Sequence, residues 1–140
     1  MFDRNMSDKS LIREIVLQIE DAIQRVQRRF SRIESSDDFL RDEQGRDMLD
    51  SIGMMLLTIG ENIKKIDYKT SGELLKKYPS VDWKGLKGMR DILAHRYYDL
   101  DAAEVFEICE KDIPKLSEAT SRMLKDLLLD IRNSVIRDLA

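Results

Sequence analysis

His95 is the single histidine of the chain, with Arg90 five residues before it and Tyr97 two residues after it. A guanidinium, a group that titrates near neutral pH and a phenol therefore fall in one short run. Histidine is the side chain best placed to move protons at physiological pH. The planar fork of arginine makes paired, charged hydrogen bonds to phosphate. Together they suit transesterification of RNA, in which a 2′-hydroxyl is deprotonated and attacks the adjacent phosphate while the guanidinium stabilises the growing charge. DNA lacks that hydroxyl. A second histidine and a cysteine cluster are missing from the sequence, which argues against a catalytic metal. So are a glycine-rich phosphate loop and a Gly-x-Ser-x-Gly elbow. The expected chemistry is acid–base work beside a cation, with no metal and no cofactor. The competing interpretation is a helix whose histidine only caps or packs.

Arg90 and His95 do not share a face of a straight helix, because five residues rotate by about 140° and rise by about 7.5 Å. Either the helix ends or distorts near His95, or the working site combines residues from two chains. One histidine per chain also leaves a separate acid and base hard to supply, and a homodimer would provide both. Asp91 stands four residues before His95 and shares its face, so its carboxylate is expected to orient the imidazole. Lys84, Lys87 and Arg96 are candidate RNA contacts by proximity. Trp83 is expected to pack into the core rather than stack on a base.

A length of 140 residues fits one domain with a real core. Hydrophobic residues make up 42% and charged residues 36%, with 6 Gly and 2 Pro, a balance that points to an all-α protein. The lone Cys109 forms no internal disulfide and is expected to pack as a small apolar residue. No apolar run is long enough to cross a bilayer, and the first residues lack the apolar centre of a signal peptide. The expected location is cytoplasmic. The net charge is −3, yet residues 64–98 carry nine basic and four acidic side chains, a local surplus that could receive phosphate.

Apolar spacing predicts a first helix from Ser7 or Ser10 to about Arg32. A second helix is predicted from about Asp38 to Asp67, where Leu49, Ile52, Leu56, Ile59, Ile63 and Ile66 form a heptad seam. Met48 and Met55 widen that stripe, as a subunit contact or as ordinary core. Gly53 and Gly60 permit another helix to approach closely. A short helix is predicted over Thr70–Lys77, and another from Trp83, capped by Asp82, with Leu86, Met89 and Leu93, and Ile92 beside them, on its buried side. Asp101 and Glu104 resemble a capping box for the next helix. The last helix carries Leu116, Met123, Leu124, Leu127, Ile131, Val135 and Leu139, and Pro114 sits in its first turn or kinks a continuous one.

Four segments in order are similar to HepT-type HEPN proteins: Ile59-Gly60-Glu61-Asn62, Tyr78-Pro79-Ser80-Val81-Asp82-Trp83, the run from Gly88-Met89-Arg90-Asp91 through Ala94-His95-Arg96-Tyr97, and Ile113-Pro114-Lys115-Leu116. The resemblance spans about Ser35 to Leu116. It implies an up-and-down four- or five-helix bundle, one HEPN domain over residues 1–140, that pairs into a homodimer. It further implies a metal-independent endoribonuclease, the toxin of a toxin–antitoxin pair, with a minimal nucleotidyltransferase (MntA) as antitoxin and tRNA or mRNA as substrate. In the family the motif Arg and His, matched by Arg90 and His95, are catalytic. Asp91 fits the polar position beside the Arg, and Tyr97 matches the tyrosine that accepts AMP. AMP on Tyr97 would put bulk and negative charge where RNA phosphate must sit. The alternative is a catalytically silent subunit that binds nucleotide or substrate for a nucleotidyltransferase, which the acidic bulk of the chain favours.

Overall fold

The structure, a computed structural model, describes residues 2–96 and 98–139, with side chains from Asp8 onward. It is all-helical among the described residues: α1 (Phe2–Phe30), α2 (Glu43–Lys69), α3 (Trp83–Arg96), α4 (Ala102–Glu107) and α5 (Ile113–Leu139). Helix α1 lies between α2 and α5, and α3 packs on the far side of α2. No described helix is long and apolar enough to cross a membrane.

The heptad seam of α2 is the spine of the core. Leu49, Ile52, Leu56, Ile59, Ile63 and Ile66 are all buried, and each such side chain contributes about 1.5–3 kcal/mol by leaving water. They meet Ile15, Val16, Ile19, Ile23 and Val26 of α1 in one continuous core. From the other side, Leu116, Met123 and Leu127 of α5 complete it. Met48 and Met55 pack at the edge of this core, partly buried.

Helix boundaries depart from the sequence pattern where side chains find other partners. α1 begins at Phe2, ahead of either serine, and stops at Phe30, where Arg32 and Ile33 switch to bonds three residues back. α2 starts at Glu43 rather than Asp38. The Asp38 carboxylate accepts from the Glu34 and Ser35 amides and closes a separate 3-10 turn over Ser36–Phe39. Asp42 is the real cap, accepting from the Gly45 amide at 2.7 Å. Thr70–Lys77 is not a helix. Ser71 (φ 52°) and Gly72 (φ 76°) turn the chain left-handed after α2, leaving one 3-10 turn at Leu75–Lys77.

Helix α3 starts where predicted, with Asp82 accepting from the Gly85 amide at 3.0 Å. Trp83 is partly buried against the core, its indole N–H donating to the Tyr78 carbonyl at 2.9 Å. Tyr78 in turn donates to Asp126 of α5 at 2.6 Å and lies under the Arg122 guanidinium, which ties the approach to α3 onto α5. Asp101 caps α4 by accepting from the Ala103 and Glu104 amides. α4 runs through one π-helical turn, Ile108–Asp112, into α5, so Pro114 stands in the first turn of α5 just after the widened turn. One apolar expectation fails, at Ile92, which is exposed on α3. Val135 and Leu139 are exposed because α5 turns its Leu127–Ser134 side inward.

Candidate active site

Helices α2 and α3 come together because α2 has no side chain at two crossing points. A Cβ placed on Gly60 would collide with the Cβ of Arg90, and one placed on Gly53 would collide with Leu100 just past α3. Arg90 therefore rises from the seam itself. Its Nε donates to Glu61 Oε1 at 2.9 Å and its Nη2 donates to the same oxygen, while Nη1 donates to Asp91 at 3.1 Å. Asp91 also accepts from Lys64 at 2.8 Å, and Lys87 donates to Asp67 at 2.7 Å.

The pairs Glu61–Arg90, Lys64–Asp91 and Asp67–Lys87 form an antiparallel ladder along the outer edge of the α2–α3 seam. Residues three apart on α2 make one stripe, and opposite charges on α3 meet it. The hydrogen bonds that Arg90 donates to Glu61 and Asp91 raise its pKa further above its ordinary value, so it stays a cation at any working pH. The bonds from Lys64 and Arg90 hold the Asp91 carboxyl below the usual carboxylate range. Pairs this exposed add little to stability; their effect is to fix where the charges point.

His95 is exposed, one residue before the end of α3, and makes no hydrogen bond or ion pair with any described residue. The helix is unbroken from Arg90 through His95. Arg90 thus leans toward α2 while His95 points away from the buried Leu86–Met89–Leu93 side. The structure does not bring the two together within one chain. Asp91 departs from its expected role: its carboxylate is turned to Lys64 and Arg90 and is not bonded to His95. Lys84 and Arg96 are exposed on α3, and Lys84, eleven residues before His95, shares its face. Lys87 is half-buried and committed to Asp67. Tyr97 lies outside the described residues.

Sequence reasoning missed Glu61 as the partner of Arg90. The signal lay in the acid–base–acid spacing Glu61, Lys64, Asp67 beside Gly60, which marks a charged edge next to a close helix crossing.

The ribonuclease HepT-like family model matches residues 19–123. The chain belongs to the HepT-like family. It is similar to a protein of Methanocaldococcus jannaschii named "Putative RNase MJ0125", 38% identical over 72 residues, which cover 51% of this chain and 59% of that one. "Putative RNase MJ0127" of the same organism is 27% identical over 99 residues, 71% of this chain and 76% of its own. "Putative RNase TTE0752" of Caldanaerobacter subterraneus is 33% identical over 67 residues, 48% and 56% of the two chains. The chain spans a little over half the length of the first curated relatives it matches. No solved structure matches it.

Proposed function

We propose that this HepT-like chain is an RNA-cleaving enzyme that works without a metal, with Arg90 and His95 as its catalytic residues. The observation that carries the reading is the pairing of an anchored cation with an exposed imidazole on one helix. Three of the five N–H groups of Arg90 are held by carboxylates, which leaves two for a phosphate oxygen. His95 of one copy takes the 2′-hydroxyl proton, the 2′-oxygen attacks phosphorus, and the P–O5′ bond breaks as the 5′-oxygen takes a proton from the protonated imidazole of the second copy. The products are a 2′,3′-cyclic phosphate and a 5′-hydroxyl end.

Because α3 stays helical through both residues, a second copy of the chain supplies the missing half of the constellation. A hollow of about 350 Å³ beside the C-terminal end of α3, lined by Asp50, Gly53, Met54, Leu57, Leu93, Tyr98 and Leu100, supports a homodimer on this face. Met54 and Tyr98 are exposed there. Lys84 and Arg96 are the contacts offered to the RNA backbone, tRNA or mRNA, and Lys87 joins them when it leaves Asp67. Inside a cell, we assign the chain as the toxin of a toxin–antitoxin pair, restrained by a minimal nucleotidyltransferase that transfers AMP to Tyr97. One observation favours the alternative of a silent nucleotide-binding subunit: Arg90 is already neutralised by two carboxylates.

The test is cleavage of RNA by purified protein in excess chelator. Arg90→Ala and His95→Ala are each expected to lower the rate by about 10²–10⁴-fold, and a 2′-deoxy substrate should resist. Equal rates in the variants would refute the assignment. Mononucleotide binding without cleavage would favour the silent subunit.

A further inference from the structure

We propose that Glu61 is the positioning residue of the α2–α3 site: it aims the Arg90 guanidinium at the phosphate and never touches RNA itself. The proposal rests on the ribonuclease reading given above and deepens it.

Three observations converge on Glu61. First, the contact is directional. Both Nε and Nη2 of Arg90 donate to the one oxygen Oε1, so the carboxylate grips one edge of the guanidinium plane. A grip on two nitrogens fixes rotation about the end of the side chain, which a single bond would not. Second, the grip is adjacent in sequence to Gly60, whose bare backbone receives the Cβ of Arg90. The root and the tip of the arginine are thus set by consecutive residues of α2. Third, the charges balance. Glu61, Arg90, Asp91 and Lys64 form a chain of alternating sign with no net charge. Glu61 lowers the raw attraction for RNA while holding the cation in one orientation. A residue selected only to bind RNA would not be an acid here; an acid makes sense if orientation limits the reaction, because a displacement near 1 Å can cost about 10²-fold in rate.

The same seam supplies a control. Asp67–Lys87 is a cross-helix ion pair of the same kind between α2 and α3, and it does not touch Arg90. A stapling role for Glu61 would make Asp67 its equal. A positioning role makes them differ.

The experiment compares Glu61→Gln, Glu61→Ala and Asp67→Asn in the full chain by steady-state RNA cleavage and by NMR of the arginine Nε–H signals. Glu61→Ala should lower kcat by about 10²-fold, and the isosteric Glu61→Gln by about 10-fold because it keeps an acceptor without the charge. KM for RNA should not rise, and should fall where the acid is removed. Asp67→Asn should keep kcat at saturating RNA within about twofold. The Arg90 Nε–H signal, assigned with Arg90→Ala, should be protected in the wild type and in Asp67→Asn and lost in Glu61→Ala. A wild-type kcat in Glu61→Ala, an equal loss in Asp67→Asn, or a protected Nε–H without Glu61 would each overturn the proposal. If Glu61→Ala fails to fold, Glu61→Gln carries the comparison. If the wild type leaves RNA intact while the Nε–H result comes out as expected, the anchor stands and the ribonuclease reading falls, taking the catalytic role of Glu61 with it.

Discussion

Substituting alanine at three of the helical glycines, Gly53, Gly60 and Gly88, should give three different results, and their order tests the packing of the site. Gly88 has nothing within 4 Å of where a Cβ would sit. There alanine brings only its better helix propensity, about 0.5–1 kcal/mol of stabilisation. At Gly60 the new methyl meets Arg90 Cβ, with the Arg90 Cα only 3.3 Å away. Neither atom can rotate aside, so α2 and α3 must part by roughly 1 Å to reach ordinary carbon–carbon contact. Overpacking of this kind costs about 1–3 kcal/mol, which outweighs the propensity gain and leaves a net loss of about 1 kcal/mol. Gly53 falls between, because the atom met is the rotatable Cδ1 of Leu100. Urea unfolding of the three variants measures the order, with Gly88→Ala and Gly60→Ala separated by about 2 kcal/mol. Gly60→Ala should also lose RNA cleavage at urea-free conditions where it is fully folded, because the helix carrying Arg90 has moved. A Gly60→Ala protein as stable as Gly88→Ala and fully active would refute the close crossing.

Two further outcomes follow from a half-buried carboxyl and a buried thiol. Burial and the neighbouring Asp82 raise the Asp112 pKa in the folded chain, so its contribution to stability falls as pH rises through the window above the unfolded value of 3.8. Asp112→Asn should therefore raise Tm at pH 7, and the gain should vanish below that value; an unchanged Tm at pH 7 would contradict it. The Cys109 thiol is pushed up to about 12 by burial, so iodoacetamide at pH 8 should modify the native protein only as fast as it unfolds. Rapid labelling of folded protein would show that the α4–α5 junction is open.

Much of this architecture could be read from spacing alone. Leu49 to Ile66 stepped in threes and fours, and burial on one side followed. Gly53 and Gly60 announced a close neighbour, and Asp82 and Asp101 announced helix starts, because an acid just before an apolar run has few other uses. The errors arose where a local pattern had two possible partners. Asp38 matched a helix cap but was taken by the Glu34 and Ser35 amides. Asp91 matched a partner for His95 at four-residue spacing, yet Lys64 and Arg90 hold it. Val135 and Leu139 continue an apolar pattern past the point where the rest of the chain can cover it. Glu61 stood in a charged edge beside Gly60, but that spacing did not name its partner, which lies 29 residues away in sequence.

Helix α3 buries only Leu86, Met89 and Leu93 along its 14 residues. The close crossing at Gly60 adds backbone-level contact, while the ion pairs along the same edge lie near solvent, where mobile ions damp such attraction over about 10 Å at 0.1 M. The two kinds of adhesion respond to different conditions. Concentrated electrolyte leaves the greasy interior and the Gly60 crossing intact while weakening the bonds that fix the direction of the Arg90 guanidinium. Salt therefore frees the tip of this arginine long before it disturbs the helix beneath.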